Sequence, residues 1–439
     1  MIPKVQKEIK NEYRSNIIFL GFTGYLAFEN FDLIFKNIIE DGFYEPLWVD
    51  DKQTDYYKFG NKRININKIL SEEILTKKCK IERDIKILVQ KFIKSIKSGD
   101  IGGDKSDLLL SMIDFMRPEM ETRIPKYLAA AIHILKVVKP SAIISIDVAD
   151  PRNRVFTLLA NNLGVPVIQV QAGTIDQDAI EWSFCSDDLM LSHGPKTKPQ
   201  LAKLGFDISR VVETGSAKLE KVMNTGRCEE ISLNSQFMID RSVSVLLFLT
   251  SYVDLFDSQN ELSDQNRLYN EIYFAVVNEV SKKKNLSLVI KPHPLEKPKQ
   301  LAHHNKIASK YKNIFVADKS DNTSKMIVAS DGVISYGSTA TLDALVLGKP
   351  VICPKFENFL LAEYFNKSDA LLIPKDAKEL SSIFDIIASG DIAQIEDDCA
   401  EGRKAFLEEM TNLNTSASKA ILSSIFGLIK DFDYEKRSI

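Results

Sequence analysis

Cysteine is scarce in this chain: Cys79, Cys185, Cys228, Cys353 and Cys399 are scattered through 439 residues with no C-x-x-C pair. That pattern excludes a disulfide framework and a thiolate zinc site, and it fits a reducing compartment. Long apolar runs are also missing; none approaches the roughly 18–20 residues that cross a bilayer. The opening "MIPKVQKEIKNEYRSN" lacks the apolar core of a signal peptide, so a cytoplasmic location is expected. Charge of one sign is lacking as well, with 57 Lys+Arg against 60 Asp+Glu and a net charge of −3. No nucleic-acid partner is expected from such a balance, and the short clusters Lys77–Lys80 and Lys282–Lys284 read as solvated surface. G-x-G-x-x-G, G-x-x-x-x-G-K-[ST] and H-E-x-x-H are all absent, which disfavours a nicotinamide dehydrogenase, a P-loop ATPase and a zinc hydrolase. Neither a metal nor a cofactor is expected. There is no internal repeat and no low-complexity tract.

What is present is an alternation of short apolar runs with longer helical patterns, the grammar of a parallel α/β fold. "NIIFLGF" (16–22) reads as a buried strand, "FDLIFKNIIEDGF" as a helix stopped at Gly42, and "EPLWV" as the next strand. The Lys/Glu-rich stretch from about 62 to 125 reads as helical, with a loop over 98–107. "SAIISID", "VPVIQVQAG", "DDLMLSHG" and "RVVETGSAK" follow as strands that end in small or polar residues. A second set runs from "SVSVLLFLTS" through "LSLVIKPHP", "NIFVAD" and "KMIVASDGVIS" to "KPVICP". The length exceeds what one core usually serves. The expectation is two Rossmann-like domains facing across a cleft: 1–235, 236–415, and a helix at 416–439 packing back on them.

In open parallel sheets ligands bind beyond the carboxyl ends of the strands, so those ends supply the candidates. In "SDGVISYGSTATLDALVLG" a strand ends near Ser335. Gly337 permits close approach, and Ser338 and Thr339 open a helix whose N–H groups and dipole suit a phosphate. Plain capping is the alternative reading. "LVIKPHPLEKP" places His293 between Pro292 and Pro294, which stiffen it. Strand alternation turns Lys291 to the other side, so its part in binding stays open. Thr250 ends the strand before them. In the first domain, Asp147 or Asp150 is a candidate general base facing the cleft, with helix capping as the alternative reading. Asp150 before Pro151 favours the cap, and Glu40–Asp41 before Gly42 is a helix end. Gln171, Gly173, Gly215 and Lys218 are expected to line the cleft. His193 is either a cleft or a core residue, His133 is packed, and His303–His304 are exposed.

With these residues in view, the chain resembles the GT-B fold glycosyltransferases that build bacterial capsules, lipopolysaccharide and teichoic acids. "GVPVIQVQAG" is similar to their strand ending in Gln-His-Gly, "VIKPHP" to their His-Pro motif, and "SYGSTATLDALVLGKPVI" to their Ser/Thr motif, over roughly 130–355. The opening strand and helix resemble those of CDP-glycerol phosphotransferases. The likeness to sialyltransferases and Kdo transferases implies that His293, Ser338, Thr339 and Ser335 bind the phosphate of a CMP-linked nonulosonic acid or Kdo donor. It further implies an inverting, metal-independent transfer to a glycan or lipid-linked glycan, and peripheral contact with the inner face of the cell membrane. Ala172 stands where relatives carry the Gln-His-Gly histidine, so that base is missing and Asp147 is the choice. UDP-N-acetylglucosamine 2-epimerases are also similar at "QVQAG", but Gln171 replaces a glutamate they need. A catalytically silent nucleotide-sugar-binding subunit is the remaining reading.

Overall fold

The computed structural model describes residues 15–52, 62–100, 105–175, 179–225, 232–250, 264–294, 296–356, 365, 369–413 and 416–437. The opening segment, Cys228 and the centre of the loop expected over 98–107 lie outside them. The chain divides into two compact units: Met1–His193 with Thr197–Ala217 and Thr415–Ile439, and Gly194–Lys196 with Lys218–Asn414. The division thus falls at Ala217/Lys218, ahead of the boundary at 235 read from the strand–helix pattern.

The first unit holds β1 (Ser15–Leu20), β2 (Tyr44–Asp50), β3 (Arg63–Asn65), β4 (Ala142–Ser145), β5 (Val167–Val170), β6 (Leu189–Ser192) and β7 (Val211–Glu213). They form one parallel sheet in the order β3-β2-β1-β4-β5-β6-β7. Its helices are α1 (Tyr25–Asp41), α2 (Glu72–Lys97), α3 (Ser106–Pro118), α4 (Ile124–Val138), α5 (Pro151–Asn162) and α6 (Thr197–Lys203). β1 is central and covered on both faces. That is why Ile17, Ile18, Phe19 and Leu20 are apolar without alternation and fully buried. α1 sets Phe31, Ile34, Phe35 and Ile38 on one stripe against Phe19 and Trp48. It ends at Asp41, with Gly42 in the left-handed region (φ 78°) returning its N–H to Ile38. β3 corrects the reading of 62–125 as helical on either side of its 98–107 loop. Arg63 pairs with the buried Asp50 through two hydrogen bonds of 2.9 Å, which recruits the segment to the sheet edge.

Gly21, just past β1, packs against the Trp48 ring so closely that a Cβ there would lie 2.2 Å from it. Trp48 is fully buried, its indole N–H held by Asp50 at 2.9 Å. Gly21→Ala is therefore expected to cost about 2–3 kcal/mol through overpacking, read as a lower urea midpoint.

The second unit opens within α7 (Ala217–Thr225) and continues with α8 (Leu233–Gln236), α9 (Asp264–Ser281), α10 (Pro298–Ala308), α11 (Thr323–Val328), α12 (Thr339–Val346), α13 (Ala377–Ser389) and α14 (Ile392–Met410). Its parallel sheet comprises β8 (Ser244–Leu249), β9 (Leu286–Lys291), β10 (Ile314–Val316), β11 (Gly332–Ile334) and β12 (Val351–Ile352), in the order β10-β9-β8-β11-β12. Within "KMIVASDGVIS" the apolar run belongs to α11, capped by the Asn322 side chain, and only Gly332–Ile334 is strand. The last helix, α15 (Ala417–Arg437), belongs to the first unit, where Ile421, Ile425 and Ile429 join the core beneath α1. No described helix is long and apolar enough to cross a membrane.

Candidate functional site

In the second unit β8 lies between β9 and β11. The His293 turn and the start of α12 therefore leave the same carboxyl edge, on either side of Thr250. Gly337 adopts φ 78°, the left-handed conformation that glycine allows, and swings the chain into α12. Ser338 occupies the N-cap position with extended backbone, yet its side chain makes no capping bond. Its hydroxyl faces Ser335 Oγ at 3.4 Å. Ser335 itself is fully buried and bonds Thr341 Oγ1 at 2.9 Å, so it braces the turn from inside. Thr339 is the first helical residue and half-buried. The first turn of α12 carries no acidic side chain, which suits an anion at its positive end.

Several expected contacts are relocated. Lys291 is 3% exposed, and its ammonium donates to the carbonyls of Pro292 at 3.2 Å and Lys319 at 2.9 Å. It ties down the loop instead of presenting a charge to phosphate. Thr250 is likewise turned inward, its hydroxyl placed against Lys291 O, Glu296 and the His293 N–H. Lys218, expected to line a cleft, pairs with Asp343 of α12 at 2.9 Å, both side chains largely buried. His293 is half-buried and Pro294 exposed. Burial pushes the His293 imidazole below its ordinary value, opposed by Glu296 and aided by Lys291, so near neutral pH it offers an N–H rather than a charge.

His304 overturns the exposed reading of the histidine pair. It is 1% exposed, its Nε2 2.8 Å from Glu296 Oε2 and its Nδ1 2.9 Å from the Tyr273 hydroxyl.

At the carboxyl edge of the first unit, Asp147 follows β4. Its Oδ1 accepts the N–H groups of Ala149 at 2.8 Å and Asp150 at 3.0 Å. Burial raises its pKa; those two bonds oppose the rise and the Asp150 charge adds to it. Asp147 also lines a small polar cavity with Ser145, Arg154, Gln169, Cys185 and Asp187. Asp187, deeply buried, is raised to about 6 by desolvation, with the Cys185 hydrogen bond acting against the rise and the Asp188 charge adding to it. A carboxyl raised in the folded state stabilises fully below its unfolded value near 3.8 and loses that contribution as pH rises through about 6. Asp187→Asn is therefore expected to gain stability over wild type at pH 8, on the order of 2 kcal/mol. The gain should vanish at pH 4 in paired urea titrations.

Asp150 caps α5 by accepting the Arg152 N–H at 2.8 Å, as its place before Pro151 implied. Arg152 bridges Asp150 and Asp51, and Tyr127 donates to Asp51 at 2.6 Å. Burial works upward on Asp51, but the Tyr127 bond and the Arg152 charge prevail and hold it below the usual carboxylate range. This charged knot had no signal in the sequence beyond two isolated acids. Gln171, expected to line the cleft, is 3% exposed. Its oxygen accepts from His193 N at 2.8 Å and Thr197 Oγ1 at 3.0 Å, and its amide donates to Gly173 O at 2.7 Å. His193 is buried, its ring 2.8 Å from Gln171 O. Gly173 is half-buried in a bend, and Gly215 takes φ 82° at the turn after β7.

No protein-family model matches the chain, and no curated protein matches it either. Solved structures do. A UDP-GlcNAc 2-epimerase from Neisseria meningitidis bound to UDP-GlcNAc is 12% identical over 94% of this chain and 100% of its own, with a TM-score of 0.57. A glycosyltransferase from Rickettsia africae is 11% identical over 96% and 99%, with a TM-score of 0.52. The wall teichoic acid polymerase TagF, solved with CDPG, is 13% identical over 98% and 93%, with a TM-score of 0.53. At such identities the likeness is one of fold: two parallel-sheet α/β units of the GT-B type.

Proposed function

We propose that this chain is a glycosyltransferase that takes a nucleotide-activated sugar as donor and delivers the sugar to a glycan acceptor in bacterial surface-polysaccharide synthesis. The observation that carries this reading is the neighbouring order β9-β8-β11, which brings the His293 turn and the Gly337–Thr339 helix start to one sheet edge. There His293 donates an N–H to a donor phosphate, and the uncapped first turn of α12 receives the same anion. Likeness of the His-Pro and Ser/Thr motifs supports a CMP-linked acidic sugar. The UDP-GlcNAc and CDPG bound by the solved neighbours support UDP or CDP as alternatives.

In the transfer, Asp147 removes the proton from an acceptor hydroxyl. That oxygen forms the new bond to the anomeric carbon while the bond to the nucleotide phosphate breaks with inversion. A carboxylate whose pKa is raised by burial suits that task. A lipid-linked acceptor would bring the reaction to the inner face of the cell membrane. Epimerisation is the second reading, favoured by the likeness to the Neisseria enzyme. Against it stands Gln171, an amide already bonded to His193, Thr197 and Gly173 where an acid–base group is needed.

Incubation with CMP-, CDP- and UDP-sugars, with and without glycan acceptors, decides among these. Nucleotide release that requires acceptor is the expected result. Interconversion of UDP-sugars without acceptor would establish an epimerase instead, and binding without either reaction a silent subunit.

A further inference from the structure

Behind the His293 turn lies a chain of buried polar groups. Glu296 is 4% exposed, and each of its oxygens is engaged. Oε1 accepts the His293 backbone N–H at 3.1 Å and the Thr250 hydroxyl. Oε2 faces His304 Nε2 at 2.8 Å, and His304 Nδ1 faces the Tyr273 hydroxyl at 2.9 Å. The turn is closed from the other side as well, since the Glu296 N–H donates to His293 O at 3.0 Å. His304 thus joins Glu296 to the Tyr273 hydroxyl through its two ring nitrogens, so every member of the chain has a partner.

Burying a carboxylate and a histidine in an apolar core is costly unless both are satisfied. Tyr273 packs with Phe248, Ile272, Val276 and Ile307 in one core cluster and His304 lies against its ring, a setting in which packed hydrophobes would serve stability as well. Desolvation works against the Glu296 charge, yet the bonds from His304, Thr250 and the His293 N–H hold its pKa below the ordinary value. The carboxylate is thus kept ionised, where it grips the backbone N–H of the half-buried His293.

We propose that Glu296, locked by His304 and Tyr273, is a positioning residue that holds the His293–Pro294 turn in the geometry that receives the donor phosphate. This inference rests on the donor-site reading above, and it assigns a role to residues that reading did not use. Glu296 acts through His293, so its effect on nucleotide affinity should exist only while His293 is present.

The test is a double-mutant cycle on the full chain, with affinity for the tightest binder among CMP, CDP and UDP read by calorimetry and thermal unfolding read alongside. Glu296→Ala is expected to weaken binding about tenfold, the loss of one charge-assisted hydrogen bond's worth of order. The same substitution added to His293→Ala should weaken it no further. Glu296→Gln keeps an acceptor oxygen for the His293 N–H and should recover most of the loss. Should Glu296→Ala fail to fold, Thr250→Val removes the hydroxyl bridging His293 N–H and Glu296, and the same coupling to His293 is expected. Additive losses in the double variant, with His293→Ala itself weakening binding, would overturn the positioning role and leave the donor site standing. A His293→Ala variant that binds as wild type would overturn both.

Discussion

His293→Ala should weaken binding of the cognate nucleotide by tenfold to a hundredfold, while thermal unfolding stays near the wild-type value. A hydrogen bond to a charged group contributes about 1.5–3 kcal/mol, and every 1.4 kcal/mol is about tenfold in affinity. The imidazole is half-buried between prolines, so truncating it removes little packing. Titration calorimetry with CMP, CDP and UDP supplies the comparison. A variant with unchanged affinity would show that the turn is only a stiff strand end. The effect should be larger than that of Ser335→Ala, because Ser335 is fully buried and bonds Thr341 rather than facing outward.

The largest kinetic effect is expected at Asp147. Asp147→Asn keeps an Oδ1 that can accept the N–H groups of Ala149 and Asp150, so the loop after β4 should hold its shape. It removes the proton acceptor, and loss of general-base catalysis lowers turnover by about 10²–10⁴-fold. Nucleotide affinity should be unchanged, because the donor phosphate is assigned to the second unit. A variant that keeps its turnover would return Asp147 to the role of a loop-forming residue. A fall in turnover together with a fall in thermal stability would point instead to damage around Gln169 and Ser145, which line the same cavity.

The parts of the fold that could be read from the chain are those where local chemistry is decisive. β1 and β9 are apolar at successive positions because both faces are covered. Gly42 and Asp150 mark helix ends through φ preference and side-chain capping, which act within a few residues. The common edge of the His-Pro and Ser/Thr motifs followed from strand–helix alternation, since parallel strands release their loops at one end.

What escaped was set by partners distant in sequence. Arg152 meets Asp51 across 101 positions and Tyr127 meets Asp51 across 76, separations that no spacing rule reads. His304 looked exposed because its helix is polar. Its burial comes from Tyr273 on α9 and from Glu296 in the turn ahead. Lys291 was an open case from alternation alone, and its charge is directed to the Lys319 carbonyl beyond β10. Gln171 reads as a polar strand end, but His193 and Thr197 draw it into the interior.

The most direct test of the donor site is a crystal structure of the chain with its tightest-binding nucleotide. Phosphate oxygens are expected within hydrogen-bond distance of the His293 ring and of the backbone N–H groups that open α12, with Lys291 still bonded to Pro292 and Lys319. A nucleotide seated away from the carboxyl edge of β9, β8 and β11 would contradict the placement of the donor phosphate at His293 and α12.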